Sequence, residues 1–321
     1  MPSSLPSENA AANPAWPALP FNEWKETCAT LHMWSQIVGK IRLVQSPWLN
    51  HSWHATFYLT ARGMTTSPVS CGTRVFQLDF DFIDHLLRIG TSDAMTRTMA
   101  LRPRSVADFY QELFAHMADL GLPIRIHAKP NEVPDAIPFE QDHVHASYDA
   151  EYANRFWRLL LQAERVLKEF RARFIGKCSP VHLFWGSFDL ATTRFSGAEA
   201  PSHPGGVPNC PDWVTREAYS HEVSSCGFWP GNDAMPYPLF YAYAYPEPAG
   251  FKTASVLPGK ARYDAAFGEF ILPYDEVRLA PSPDEVLLEF LQSTYEATAD
   301  LGKWNRAALE RKDAAIHAPR R

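Results

Sequence analysis

The chain has 321 residues, of which 46 % are hydrophobic and 21 % charged, and a formal net charge of −6. That composition excludes a wholly disordered chain or a coiled coil. The acidic balance argues against a sequence-independent nucleic-acid binder, which needs a basic stripe against phosphate. No run approaches the ~18 apolar residues of a membrane span, so neither nucleic acid nor membrane is an expected partner. Aromatic residues reach 13 % and there are 27 prolines.

In chain order, residues 1–16 read as a flexible Pro-, Ser- and Ala-rich arm without the basic and apolar regions of a secretory signal. Residues 17–140 read as an N-terminal α+β half. Its first helix carries Trp24, Cys28, Leu31, Trp34, Val38 and Ile41 at steps of three and four, with Asn22 as N-cap and an end at Gly39-Lys40. Strands are expected at residues 53–60, 75–82, 85–89, 97–101 and 124–127. A second helix, capped by Ser105, runs through Phe109, Leu113 and Met117 to Gly121. Residues 141–311 form the C-terminal half. Its long helix carries Phe156, Leu160, Ala163, Leu167 and Phe170, with a stop at Gly176. Strands follow at 181–194, 217–228, 239–245 and 269–272, then a helix opening at Ser282-Pro283 and a short helix within 303–311. Residues 312–321 read as a frayed tail.

Blocks of helical and alternating periodicity predict an α+β fold, with antiparallel sheet from both halves packed against the first and third helices. Both halves share a helix, Gly-Lys, Ser-Pro, strand order. Internal duplication of a helix–strands–helix unit is one reading, and ordinary turn punctuation by Gly and Pro is the other.

The chemistry-bearing residues cluster in the second half. On an unbroken strand over 181–194, Trp185, Ser187, Asp189 and Thr193 share one face; a bulge at Gly186 would re-aim its neighbours. On the strand over 217–228, Tyr219 and His221 face one way and Glu222 the other. Neighbouring strands bring Asp189 toward Glu222. Paired carboxylates suit proton transfer because burial and mutual charge push their pKa values apart; the alternative is that Glu222 pairs with Arg194 or Arg216 at the rim. The Gly- and Pro-rich stretch 196–212 reads as a cover over a pocket or as a plain surface loop.

Asp189 and Glu222 are therefore the candidate proton-transfer residues, with His221 as a second choice. Arg194 is the candidate anchor for an anionic group, Ser187 a polar contact, and Trp185, Tyr219 and Trp229 the walls. His51 and His54 sit three apart in a loop-to-strand region, and His143 and His145 sit in a loop. With no HExxH or Cys–His set, no metal is expected. Phosphate- and dinucleotide-binding glycine motifs and a nucleophile elbow are absent, so no cofactor is expected. The five widely spaced cysteines fit reduced thiols and a cytoplasmic protein.

The segments GKCSPVHLFWGSFDLATTRFSG (176–197) and EAYSHEVSSCGFWPG (217–231), with WPALPFNEWKETCATLHMWSQIVGK and NEVPDAIPF nearer the start, resemble a family of bacterial proteins defined only as a domain of unknown function. The resemblance covers about residues 16–311. It implies no activity, cofactor or catalytic residue. The family pattern carries Arg after the FSG segment where this chain has Ala198, so a contact from that arginine would be missing. The resulting expectation is an enzyme acting on a small polar molecule by acid–base chemistry. The alternative is a non-catalytic binder of a small ligand in the same cleft. Oligomeric state is not legible.

Overall fold

The computed structural model describes residues 14–312. The expectations for 1–13 and 313–321 lie outside the described residues. Trp16, placed at the end of the arm, is buried and packs edge-on against Phe240.

In the N-terminal half, α1 (Phe21–Gln45) precedes β1 (Tyr58–Leu59), β2 (Gly63–Thr65), β3 (Val69–Cys71), β4 (Arg74–Asp81), β5 (Leu86–Thr91), β6 (Thr96–Ala100) and α2 (Val106–Asp119). In the C-terminal half, α3 (Ala150–Ala172) precedes β7 (His182–Phe184), β8 (Asp189–Glu199), α4 (Asp212–Ala218), β9 (His221–Trp229), β10 (Leu239–Tyr245), β11 (Arg262–Asp264) and β12 (Glu269–Pro273). There follow α5 (Tyr274–Arg278), α6 (Pro283–Leu301) and α7 (Arg306–Leu309). The first sheet runs β1-β2-β4-β5-β6, with β3 also on β4; the second runs β11-β12-β10-β9-β8-β7. Every strand pair is antiparallel, so the α+β reading holds. The sheets meet where Phe57 and Leu183 exchange two backbone hydrogen bonds of 2.9 Å. One apolar core runs through both halves, joining Trp34 and Leu113 to Phe80, Phe156, Phe228 and Leu291.

Local chemistry explains the elements. The Ser105 hydroxyl accepts from Asp108 N at the start of α2, and Asp149 accepts from Glu151 N and Tyr152 N at the start of α3; each satisfies N–H groups that the first turn leaves free. In the second sheet, alternation sorts the two faces. Leu190, Cys226, Phe228, Phe240, Phe270 and Leu272 join the helix-side core. Asp189, Thr193, Val223, Ser225, Tyr241, Tyr243, Glu269 and Ile271 face the other way and line a cleft.

Several expected boundaries move. The first helix starts at Phe21 after Pro20, with no side-chain cap, so Asn22 is inside it. It continues past Gly39, where the Trp185 indole packs closely against the helix. Gly176, by contrast, lies beyond the end of α3. The Gly-Lys pairs that suggested a repeat thus occupy different structural places, although both halves keep the helix–strands–helix order. Residues 53–55 are turn and bend after the positive φ of His51 and Ser52, so extended pairing begins only at the Phe57 bridge and β1. Residues 124–127 join no strand. The expected strand over 181–194 is a hairpin, broken at residues 185–188 with Phe188 at φ 61°. The expected strand over 217–228 begins as α4 and enters β9 only at His221. The short helix within 303–311 contracts to α7, capped by the Asn305 side chain.

Candidate active site

The turn between β7 and β8 fixes the floor of the cleft. Trp185 Nε1 donates to Ala55 O at 2.7 Å. His32 on α1 is hydrogen-bonded through Nε2 to the carbonyls of Trp185 and Gly186 at 3.0 and 2.9 Å, and its ring stacks on Phe188 at 4.9 Å. These bonds tie two carbonyls of the turn to α1, next to Ser187 and Asp189. Asp189 is only 8 % exposed. The Ser187 and Tyr241 hydroxyls donate to its two oxygens. Burial raises the Asp189 pKa, and these two bonds work against the rise. Tyr241 reaches Asp189 across β9 because residue 227 is glycine: a Cβ there would lie 2.7 Å from the Tyr241 hydroxyl oxygen.

Two further acids face the same space. Glu132 comes from the loop after α2 and lies over Gly186, where any side chain would overlap its carboxylate. Glu132 is an exposed residue whose carboxylate packs against Gly186 and lines the cleft. Desolvation in the cleft, followed by the charge of Asp189, lifts its pKa to about 7. Glu269, on β12, is lifted to about 8 by burial first, then by Asp189 and Asp264. No hydrogen bond or cation offsets either shift. A carboxylate in that position holds a proton near neutral pH, which is the condition for general acid–base work.

The cleft has two connected ends. One, of about 270 Å³, adds Trp229, Phe267 and Glu269; the other, of about 220 Å³, adds His51, Thr193, Val207 and Cys210. Both ends share Glu132, Ser187, Asp189, Tyr219, Tyr241 and Tyr243. The Tyr219 and Tyr243 hydroxyls are 2.8 Å apart. Burial pushes the Cys210 thiol up to about 11, so it is not an activated nucleophile. Part of the 196–212 stretch covers this space. β8 extends to Glu199, and the loop beyond is tied to the Glu132 segment: Glu132 N donates to Pro208 O at 2.8 Å, Asn131 Nδ2 to Asn209 O at 2.6 Å, and Asn209 Nδ2 to Val133 O at 2.6 Å.

A wider depression of about 710 Å³ lies at the start of α1, but its charged groups are already bonded. Arg278 holds Asp275, Tyr152 donates to Glu23, and Arg262 donates to the Tyr237 hydroxyl. The cleft on the sheet face, rather than this larger space, is therefore the candidate site.

A family model matches residues 16–311, nearly the whole chain. The protein belongs to a family of unknown function (DUF5996). No curated protein and no solved structure matches it. Family membership thus supplies no chemistry, and the candidate site rests on geometry.

Of the residues singled out from sequence, Asp189, Ser187, Tyr219 and Trp229 line the cleft. The other four do not. Trp185 is the buried anchor of the turn. The alternation that points Asp189 and Thr193 at the cleft sends Arg194 into the helix-side core. There its guanidinium lies over the Phe170 ring, 4.3 Å from that of Tyr295, and donates to Phe170 O. Burial lowers its pKa to about 10. Glu222 turns away from Val223 and Ser225 and accepts from the Ser196 hydroxyl at 2.7 Å, so it does not meet Asp189. His221 lies at the start of β9, its Nδ1 3.0 Å from the Ser220 hydroxyl and its ring 6.2 Å from that of His51.

The acids that do meet Asp189, Glu132 and Glu269, were missed. Glu269 was legible in part: it alternates with Ile271 on one face of an expected strand. Glu132 sits in an irregular loop 57 residues before Asp189, where periodicity carries no signal. Among the described residues no group of three or more His, Cys, Asp or Glu is arranged to hold a metal ion, and no helix is long and apolar enough to cross a membrane.

Proposed function

We propose that the cleft binds a small polar molecule and transfers protons to and from it, with Glu132 as the acid–base residue. The observation that carries this reading is an unpartnered, solvent-reachable carboxylate raised to about 7 beside a buried aspartate. Asp189 accepts two hydroxyl hydrogen bonds that favour its charged form against burial, and its charge helps Glu132 hold a proton. Two acids in different surroundings thereby take different roles. Glu269 extends the acidic wall, and the Tyr219, Tyr241 and Tyr243 hydroxyls offer fixed contacts to the bound molecule.

The test is turnover across a library of small polar compounds by wild type, Glu132→Gln and Glu222→Gln. A substrate should lose roughly 10²–10⁴-fold in rate in Glu132→Gln, the usual scale of general acid–base catalysis. The rate should be unchanged in Glu222→Gln and should titrate near pH 7 in wild type. Wild-type rates in Glu132→Gln would remove this reading. Saturable binding with no turnover by any variant would leave a ligand-binding protein that uses the same cleft.

A further inference from the structure

The charge and ring content of the cleft narrow the class of molecule it takes. We infer that the end bounded by Glu132, Glu269 and Trp229 binds a small organic ammonium ion. This rests on the cleft being the working site, as proposed above.

Three observations combine. First, the 270 Å³ end is lined by three acids, Glu132, Asp189 and Glu269, and by no Lys, Arg or His. An anionic ligand would find no cation to pair with, whereas an ammonium ion gives Glu132 and Glu269, as they ionise, a partner that the chain does not supply. Second, most of the remaining wall is aromatic, with Leu239, Ile271 and Ser187 completing it. Trp229 and Phe267 lie 5.9 Å apart between ring centroids, and Tyr241 and Tyr243 lie stacked at 6.1 Å. Ring faces attract a cation, most strongly where water is displaced. Third, each acid is carried by a segment that the fold ties down. Asp189 is fixed by Ser187 and Tyr241, Glu132 by a backbone tied to the covering loop, and Glu269 by its register on β12. An ammonium group supplies up to three N–H donors to such a set. The volume suits a compact amine rather than a drug-sized ligand.

The probes are n-butylammonium and tetramethylammonium, with n-butanol and butyrate as neutral and anionic controls, measured by calorimetry on the full chain. The ammonium ions should bind at least about tenfold more tightly than butanol or butyrate. Tightness should rise between pH 6 and 8.5 as Glu132 and Glu269 give up protons, with net proton release detected in buffers of different ionisation enthalpy. Glu269→Gln should weaken ammonium binding by about tenfold or more. Its fold is checked by an unchanged circular dichroism spectrum and a thermal midpoint no lower than that of wild type, and Glu222→Gln should bind like wild type. Equal or tighter binding of butyrate or butanol, absence of ammonium binding, or undiminished ammonium binding by Glu269→Gln would overturn the inference. The two proposals fail separately: ammonium binding without turnover of any amine removes the acid–base reading alone, and Glu132-dependent turnover of an anion removes the ammonium reading alone.

Discussion

The two sheets of this molecule handle negative charge in opposite ways. In the first, Asp81 sits at the end of β4, 2 % exposed. Burial on its own would raise its pKa. Hydrogen bonds from Arg62, from the backbone N–H groups of Asp84 and Ile83, and from Arg88 outweigh that and leave it at about 2. In the second, burial acts on Glu132 and Glu269 with no answering cation or donor, and Asp189 pushes the same way. One fold therefore contains an acid satisfied by its own chain and acids left unsatisfied by it. The first kind belongs to stability. The second kind points outward, to a proton or to a molecule that the chain does not supply.

The largest effect on stability should come from the satisfied acid. Asp81→Asn should cost about 2–3 kcal/mol in a denaturant titration, because charge-assisted bonds from two arginines and two backbone groups are weakened together. Asp189→Asn should come next, at about 1–3 kcal/mol, since an amide cannot accept from both the Ser187 and Tyr241 hydroxyls on separate oxygens. The same variant should lower the pKa of both Glu132 and Glu269, whose shifts include its charge. Glu132→Gln should cause no loss at neutral pH, because it replaces an unpartnered acid whose ionisation opposes folding with a neutral amide. A large loss of stability in Glu132→Gln would mean that this acid is satisfied after all, and the contrast with Asp81 would fall.

The pH dependence should separate the sheets by sign. Asp81 has its folded pKa below the ordinary 3.8, so its contribution is present above that value and lost as pH falls toward about 2. Glu132 and Glu269 have folded pKa values above the ordinary 4.5. The folded state then binds more protons than the unfolded state between 4.5 and about 7–8, and their contribution, full below 4.5, is lost as pH rises through that window. Thermal midpoints measured from pH 5 to 9 should decline more steeply in wild type than in the Glu132→Gln/Glu269→Gln double variant. Parallel curves would count against the assigned shifts.

Sequence pattern carried the elements whose faces repeat: the long helices, the β4 alternation of Phe76, Leu78 and Phe80, and the Phe240–Tyr241 alternation of β10. It failed where the backbone leaves the regular regions. Phe188 at positive φ turned one expected strand into a hairpin, and α4 displaced the start of another. The candidate site suffered most from this. Asp189, Ser187, Tyr219 and Trp229 were legible because they lie on or beside strands of the same sheet. Arg194 lies on the helix side because its parity on β8 is opposite to that of Asp189, and there it packs over Phe170. Glu132 depended on a loop docking across the β7–β8 turn, a long-range contact that local periodicity does not encode.

The most direct test of the central claim is a ¹³C-carboxyl NMR titration of Glu132 and Glu269 in the unliganded wild-type protein, with Asp189→Asn alongside. The account predicts midpoints near 7 for Glu132 and near 8 for Glu269, both moving downward in Asp189→Asn. Midpoints for both at the ordinary 4.5, unmoved by Asp189→Asn, would contradict it.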